Sequence, residues 1–165
     1  MNQTLPNTGV IAIIDDDEPL REALGSVLKA AGFVTDTFAS AEEFLDLPQK
    51  NNISCLILDV RLPGMSGIEL QRRLLHANCE VPVIFVTAHG DGSLRDLVMK
   101  AGAAGFLKLG PTAQPTINGN VMAATKAARR VLGVGLIGTD QESLRNSHRA
   151  GNLTRLKGAD SADGT

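Results

Sequence analysis

Apolar positions along this chain follow two alternating rhythms. The runs Val10 to Ile14, Ile53 to Leu58 (broken only by Ser54) and Val83 to Val86 are short and rich in β-branched residues, as expected of strands covered on both faces. Val34 to Phe38 and Gly105 to Leu107 read as two further, shorter strands. Between these runs the apolar spacing changes to that of helices. Leu20, Leu24, Val27, Leu28 and Ala31 line one face of a first helix, with Pro19 in its opening turn and Gly32 as its stop.

Ser40 with Glu43 forms a capping box for a second helix reaching about Leu47, and Ser66 with Glu69 caps a third that ends near His76. Ser93 with Asp96 offers a cap for a fourth helix, whose stripe is Leu94, Leu97, Val98 and Ala101. A fifth helix is expected from about Asn118 to Leu132, on Val121, Ala124, Ala128 and Val131 or Leu132. Its approach, Gly110 to Gly119, holds Pro111 and Pro115 and reads as a broken connection. Strands alternating with helices imply right-handed crossovers and an α/β, doubly wound, five-stranded parallel sheet with helices on both faces.

Composition excludes the extremes. With 43% hydrophobic and 21% charged residues in 165 positions, the chain is that of an ordinary folded domain, neither disordered nor membrane-embedded. Cys55 and Cys79 show no disulfide or zinc spacing and read as unpaired thiols. The expected compartment is cytoplasmic, with no membrane partner. Charge is uneven: residues 1–111 carry 9 Lys/Arg against 14 Asp/Glu, net −5, and 112–165 carry 7 against 4, net +3, which sum to −2. The basic C-terminal tail admits nucleic-acid binding as one reading, although no aromatic residues interleave with its cations.

Four of the apolar runs end on a residue suited to phosphate or to a divalent cation. Asp15, Asp16 and Asp17 follow the first, Asp59 the third, Thr87 the fourth and Lys108 the fifth. Parallel strands present their C-terminal ends along one edge, where ligands bind in α/β sheets. Carboxylates crowded there need a cation or a proton, and Mg²⁺ is the hard, oxygen-seeking ion that fits. Each residue alone has a bland reading, since an aspartate after a strand is often a helix cap or turn residue. The joint placement at four strand ends carries the functional reading. His89 reads as a loop residue, and His76 and His148 as surface residues.

The stretches Ile13-Ile14-Asp15-Asp16-Asp17-Glu18-Pro19, Leu58-Asp59-Val60-Arg61-Leu62-Pro63-Gly64-Met65-Ser66-Gly67, Val86-Thr87-Ala88-His89-Gly90 and Ala101-Gly102-Ala103-Ala104-Gly105-Phe106-Leu107-Lys108 resemble a response-regulator receiver domain of bacterial two-component systems. The wording is similar to the subgroup whose receivers usually precede a LuxR-type helix-turn-helix domain. The resemblance implies a flavodoxin-like fold with strand order 2-1-3-4-5, over a receiver domain at 10–132 flanked by an N-terminal extension at 1–9 and a polar tail at 133–165. It implies phosphoryl transfer from a sensor histidine kinase to Asp59. Mg²⁺ would be held by Asp16, Asp59 and the Arg61 carbonyl, with Asp15 acting through water. Lys108 would contact the phosphoryl oxygens, Thr87 would move toward them, and Phe106 would be the aromatic switch behind. Homodimerisation through the fourth helix, fifth strand and fifth helix is also implied. Arg61, Met65 and Ala88 border the site as candidate tuning residues.

The chain departs from the family's pattern at Leu109, where proline with a cis peptide is usual. Without proline that conformation costs roughly 3–4 kcal/mol, so this loop is expected to differ or to be trans. The stretch after Gly133 is too short for the family's usual DNA-binding domain and shows no helix-turn-helix pattern. No enzymatic activity on an outside substrate is expected. The alternative enzyme reading is a haloacid-dehalogenase-like phosphatase using Asp15 and Asp17 as an Asp-x-Asp pair, which leaves Asp59 unexplained.

Overall fold

The structure, a computed structural model, describes residues 9–48, 50, 52–110 and 114–133. The N-terminal extension up to Thr8, the proline-bearing stretch 111–113 and the basic tail from 134 onward lie outside the described residues. Ten elements follow in strict alternation: β1 (Val10–Ile14), α1 (Glu18–Ala30), β2 (Thr35–Phe38), α2 (Ala41–Leu45), β3 (Ile53–Asp59), α3 (Gly67–His76), β4 (Val83–Thr87), α4 (Gly92–Lys100), β5 (Gly105–Lys108) and α5 (Gln114–Val131). The five strands form one parallel sheet in the order β2-β1-β3-β4-β5.

The period-2 geometry of a strand sends alternate side chains to opposite faces, and here both faces are covered. Ile11, Ile13, Cys55, Ile57, Ile84 and Val86 meet Leu20, Leu24 and Leu28 of α1 and Val121, Ala124 and Ala128 of α5. Ala12, Ile14, Leu56, Leu58 and Phe85 meet Phe44 of α2, Leu70 and Leu74 of α3 and Val98 of α4. This double burial explains why the three central strands read as nearly continuous apolar runs.

Local chemistry sets the helix ends. The Asp17 side chain accepts the Leu20 N–H at 3.0 Å and starts α1, and Gly32, at φ +90°, follows its C-cap. Ser40 and Ser66 accept the N–H groups of Glu43 and Glu69, as their sequence positions predict.

Strand boundaries differ from expectation by one residue: β2 starts at Thr35, and β3, β4 and β5 take in Asp59, Thr87 and Lys108. Three helices differ as well. The cap of α4 is Asp91, whose carboxylate accepts the Leu94 N–H at 3.0 Å and the Ser93 hydroxyl, so Ser93 serves the cap and does not form it. Helix α2 ends at Leu45, two residues early. Helix α5 begins at Gln114, four residues before Asn118. Pro115 lies within its first turn, where an N–H has no helical partner in any case.

Candidate functional site

The sheet register assembles the site. Ile14 lies beside Leu58, Asp59 beside Val86, and Thr87 beside Lys108, so the residues ending β1, β3 and β4 reach one edge at the same height. Carboxylate oxygens of Asp15, Asp16 and Asp59 lie within 4.8 Å of one another there. They open into a cavity of about 320 Å³ whose walls include Asp17, Arg61, Ala88, His89, Leu109 and Asn120.

Asp15 is buried, and its backbone is tied at both ends: its N–H donates to the Phe38 carbonyl at 3.1 Å, and its carbonyl accepts Arg21 Nη1 at 2.6 Å. Its Oδ1 accepts the Asp17 N–H at 2.9 Å. Burial pushes the Asp15 carboxyl up to about 7, opposed by that N–H and reinforced by the charges of Asp59, Asp16 and Asp17. Asp59 is raised to about 6, again mainly by burial. The Arg61 N–H on its Oδ1, at 3.2 Å, pulls it back, Asp16 raises it, and the Val60 N–H and Thr87 hydroxyl lower it. Two neighbouring carboxyls held near neutrality mark a place where negative charge is under-compensated. Three hard oxygen ligands on one small volume suit a dication that takes carboxylate together with phosphate and water.

Thr87 is buried; its hydroxyl donates to the His89 carbonyl at 3.0 Å and accepts the His89 N–H at 3.2 Å. Lys108 stands opposite Thr87 in the ladder, but its side chain is exposed beside a separate groove lined by Gly90, Asp91, Gly92, Arg95 and Phe106. Among the described residues it forms no ion pair. The structure therefore gathers Asp15, Asp16, Asp59, Thr87 and the Arg61 backbone, and leaves the Lys108 ammonium outside the cavity wall. Phe106 is half-buried behind Thr87, against the Val98 and Phe85 side of the core.

No described peptide bond is cis. Leu109 is buried, and its N–H donates to the Thr87 carbonyl at 2.8 Å, a bond that proline cannot make. In the Asp-x-Asp alternative the second member, Asp17, gives one oxygen, Oδ1, to the Leu20 N–H as the cap of α1.

Residues 11–109 match the response regulator receiver domain. The chain belongs to that family. Among curated relatives, the response regulator protein TodT of Pseudomonas putida is 40% identical over 119 residues, covering 72% of this chain and 52% of the relative. The transcriptional regulatory protein FixJ of Bradyrhizobium diazoefficiens is 40% identical over 100 residues, covering 61% and 49%. This receiver chain thus spans about half the length of the curated relatives it matches. Of the solved structures, response regulator StyR shares 33% identity at TM-score 0.62, over 93% of this chain and 71% of that one. A response regulator receiver protein from Burkholderia phymatum shares 36% at TM-score 0.61, over 77% and 97%.

Several groups around the receiver site carry no short-range sequence signal. Glu42, Arg21 and the Leu109 N–H all hold backbone that leads into it. Gly90 sits between Thr87 and Phe106, where a Cβ would lie 3.1 Å from Thr87 Cγ2 and 3.0 Å from Phe106 Cζ.

Proposed function

We propose that the chain is a phosphoacceptor: Asp59 receives a phosphoryl group from a sensor histidine kinase in a Mg²⁺-dependent reaction, and the change is passed to the face formed by α4, β5 and α5. The single observation that carries this reading is the meeting of Asp15, Asp16 and Asp59 oxygens within 4.8 Å at the carboxyl edge of the sheet. The donor set fits Mg²⁺, with Asp16, Asp59 and the Arg61 carbonyl as ligands and Asp15 acting through water. A bound dication would neutralise the crowded carboxylates and the phosphoryl oxygens.

An Asp59 carboxylate oxygen attacks phosphorus and forms the acyl phosphate. The bond to the donor histidine nitrogen breaks, and its electron pair stays on the imidazole. The Arg61 N–H holds Asp59 Oδ1 and so orients the carboxylate for attack. Thr87 exchanges its hydroxyl contact with the His89 carbonyl for a phosphoryl oxygen, and Phe106 follows into the space beside Gly90. Lys108 reaches the same oxygens by turning its flexible side chain inward from the groove.

The face that responds bears exposed Met99 beside Arg95, Lys126 and Arg130, and homodimerisation through it is the expected output. The chain acts on itself and not as an enzyme on an outside substrate. By analogy with relatives named as transcriptional regulators, its role is cytoplasmic signalling to transcription, and a LuxR-type helix-turn-helix partner domain is the expected family context. Among the described residues no helix is long and apolar enough to cross a membrane.

Incubation with phosphorylated kinase, or with a small phosphodonor and Mg²⁺, is expected to add one phosphoryl group per chain. Asp59→Asn is expected to abolish it. Labelling that persists in the variant, or that ignores removal of Mg²⁺, contradicts this assignment.

A further inference from the structure

The loop between β3 and α3 carries the Arg61 carbonyl and is held at three points. Its inner end is fixed by the Arg61 N–H on Asp59 Oδ1, at 3.2 Å, and its outer end by the Gly67 N–H on the Val60 carbonyl, at 3.1 Å. The third hold comes from another part of the chain. Glu42 Oε1, on α2, accepts the Met65 N–H at 2.8 Å across 23 positions of sequence.

The turn is shaped around that carboxylate. Gly64 has φ +76°, and a Cβ there would stand 2.7 Å from the same Oε1. Helix α2 is a firm base for it: Ala41 and Phe44 are buried, and Ser40 caps its first turn. The neighbouring Glu43 closes a local contact with the Ala39 N–H, so the two adjacent carboxylates do different work.

We propose that Glu42 is a positioning residue for the phosphoacceptor loop: by holding the Met65 amide it fixes the backbone from Arg61 to Ser66, and so the carbonyl offered to the cation. This rests on the reading of Asp59 as a Mg²⁺-dependent acceptor. A neutral oxygen suffices for the hold, because the donor is a backbone N–H.

The test uses the full chain, with Glu42→Ala and Glu42→Gln. Amide exchange at Met65 and a Mg²⁺ titration followed at the Asp59 and Arg61 amides are read by NMR, beside thermal unfolding and phosphoryl labelling at saturating Mg²⁺. Glu42→Ala is expected to speed Met65 exchange and to weaken Mg²⁺ about three- to tenfold, the value of one hydrogen bond, with labelling at saturation near wild type. Glu42→Gln is expected to stay within about twofold of wild type on both, since its amide oxygen still accepts the bond.

Unchanged Mg²⁺ affinity in the alanine variant, with or without a lower melting temperature, overturns the proposal. Equal damage in the glutamine variant also overturns it, since charge would then be what matters. The two readings fail separately. If the wild type takes no phosphoryl group while Met65 and Mg²⁺ respond as stated, the acceptor assignment falls and the loop hold stands.

Discussion

At the scale of single residues, the site is defined by carboxyl groups whose surroundings oppose their ionisation. Asp15 at about 7 and Asp59 at about 6 are both raised mainly by burial. Asp15→Asn keeps an oxygen for the Asp17 N–H and removes one charge from the cluster. Without divalent cations, chemical denaturation at pH 8 is expected to find this variant more stable by about 2 to 4 kcal/mol, with the gain reduced by about half at pH 5. Gly90 is the second residue-scale test. In Gly90→Ala the added carbon crowds Thr87 and Phe106 and has no Asp59 atom among its three nearest neighbours, so Asp59 is still expected to accept phosphoryl. The chemical-shift change that labelling produces in the Phe106 ring is then expected to shrink. An unaltered ring response counts against a route through Thr87 and Phe106.

At the scale of elements, what was legible in the sequence depended on how local its cause was. The caps at Ser40 and Ser66 and the stop at Gly32 rest on contacts within a few residues, while β1, β3 and β4 are readable because burial on both faces demands apolar runs. The α4 cap is ambiguous in the sequence because Asp91 and Ser93 both have capping chemistry, and only the three-dimensional turn gives the Leu94 N–H to the carboxylate. In the sequence Pro115 reads as a break, because a proline's effect depends on which turn of a helix it occupies, which periodicity alone does not reveal. Glu42 and the Leu109 N–H are illegible, since each acts on backbone brought close only by the finished fold, and Arg21 reaches back six positions by a side-chain rotamer that no spacing reveals. The sequence set Lys108 at the right strand end, but not which way its long side chain turns. Gly67 shows the close fit at this scale, because a Cβ there would lie 2.1 Å from the Asp59 carbonyl oxygen. Gly67→Ala is expected to displace the start of α3 and cost about 1 to 3 kcal/mol, with weaker labelling of Asp59. A denaturation midpoint equal to that of wild type refutes this packing argument.

At the scale of the whole molecule, the fold stores electrostatic tension at one edge of an otherwise apolar sheet. The folded pKa values of Asp15 and Asp59 lie above those of the unfolded chain, so the folded state binds more protons between about pH 4 and pH 7. Stability of the cation-free protein is therefore expected to fall as pH rises through that window, and Mg²⁺ is expected to restore it above pH 7. Urea midpoints at pH 5 and pH 8, with and without Mg²⁺, check this; a midpoint that rises with pH in the absence of Mg²⁺ contradicts it. The same edge couples the acidic cavity to the other end of the sheet. Thr87 is bound by its carbonyl to Leu109 and lies in register with Lys108, which is the connection the proposed switch would use.

The most direct test of the central claim is to locate the phosphoryl group itself. After reaction with a small phosphodonor and Mg²⁺, reductive trapping of the acyl phosphate followed by peptide mass spectrometry is predicted to mark Asp59 alone. A mark on Asp15, or no mark on any aspartate, would contradict the account.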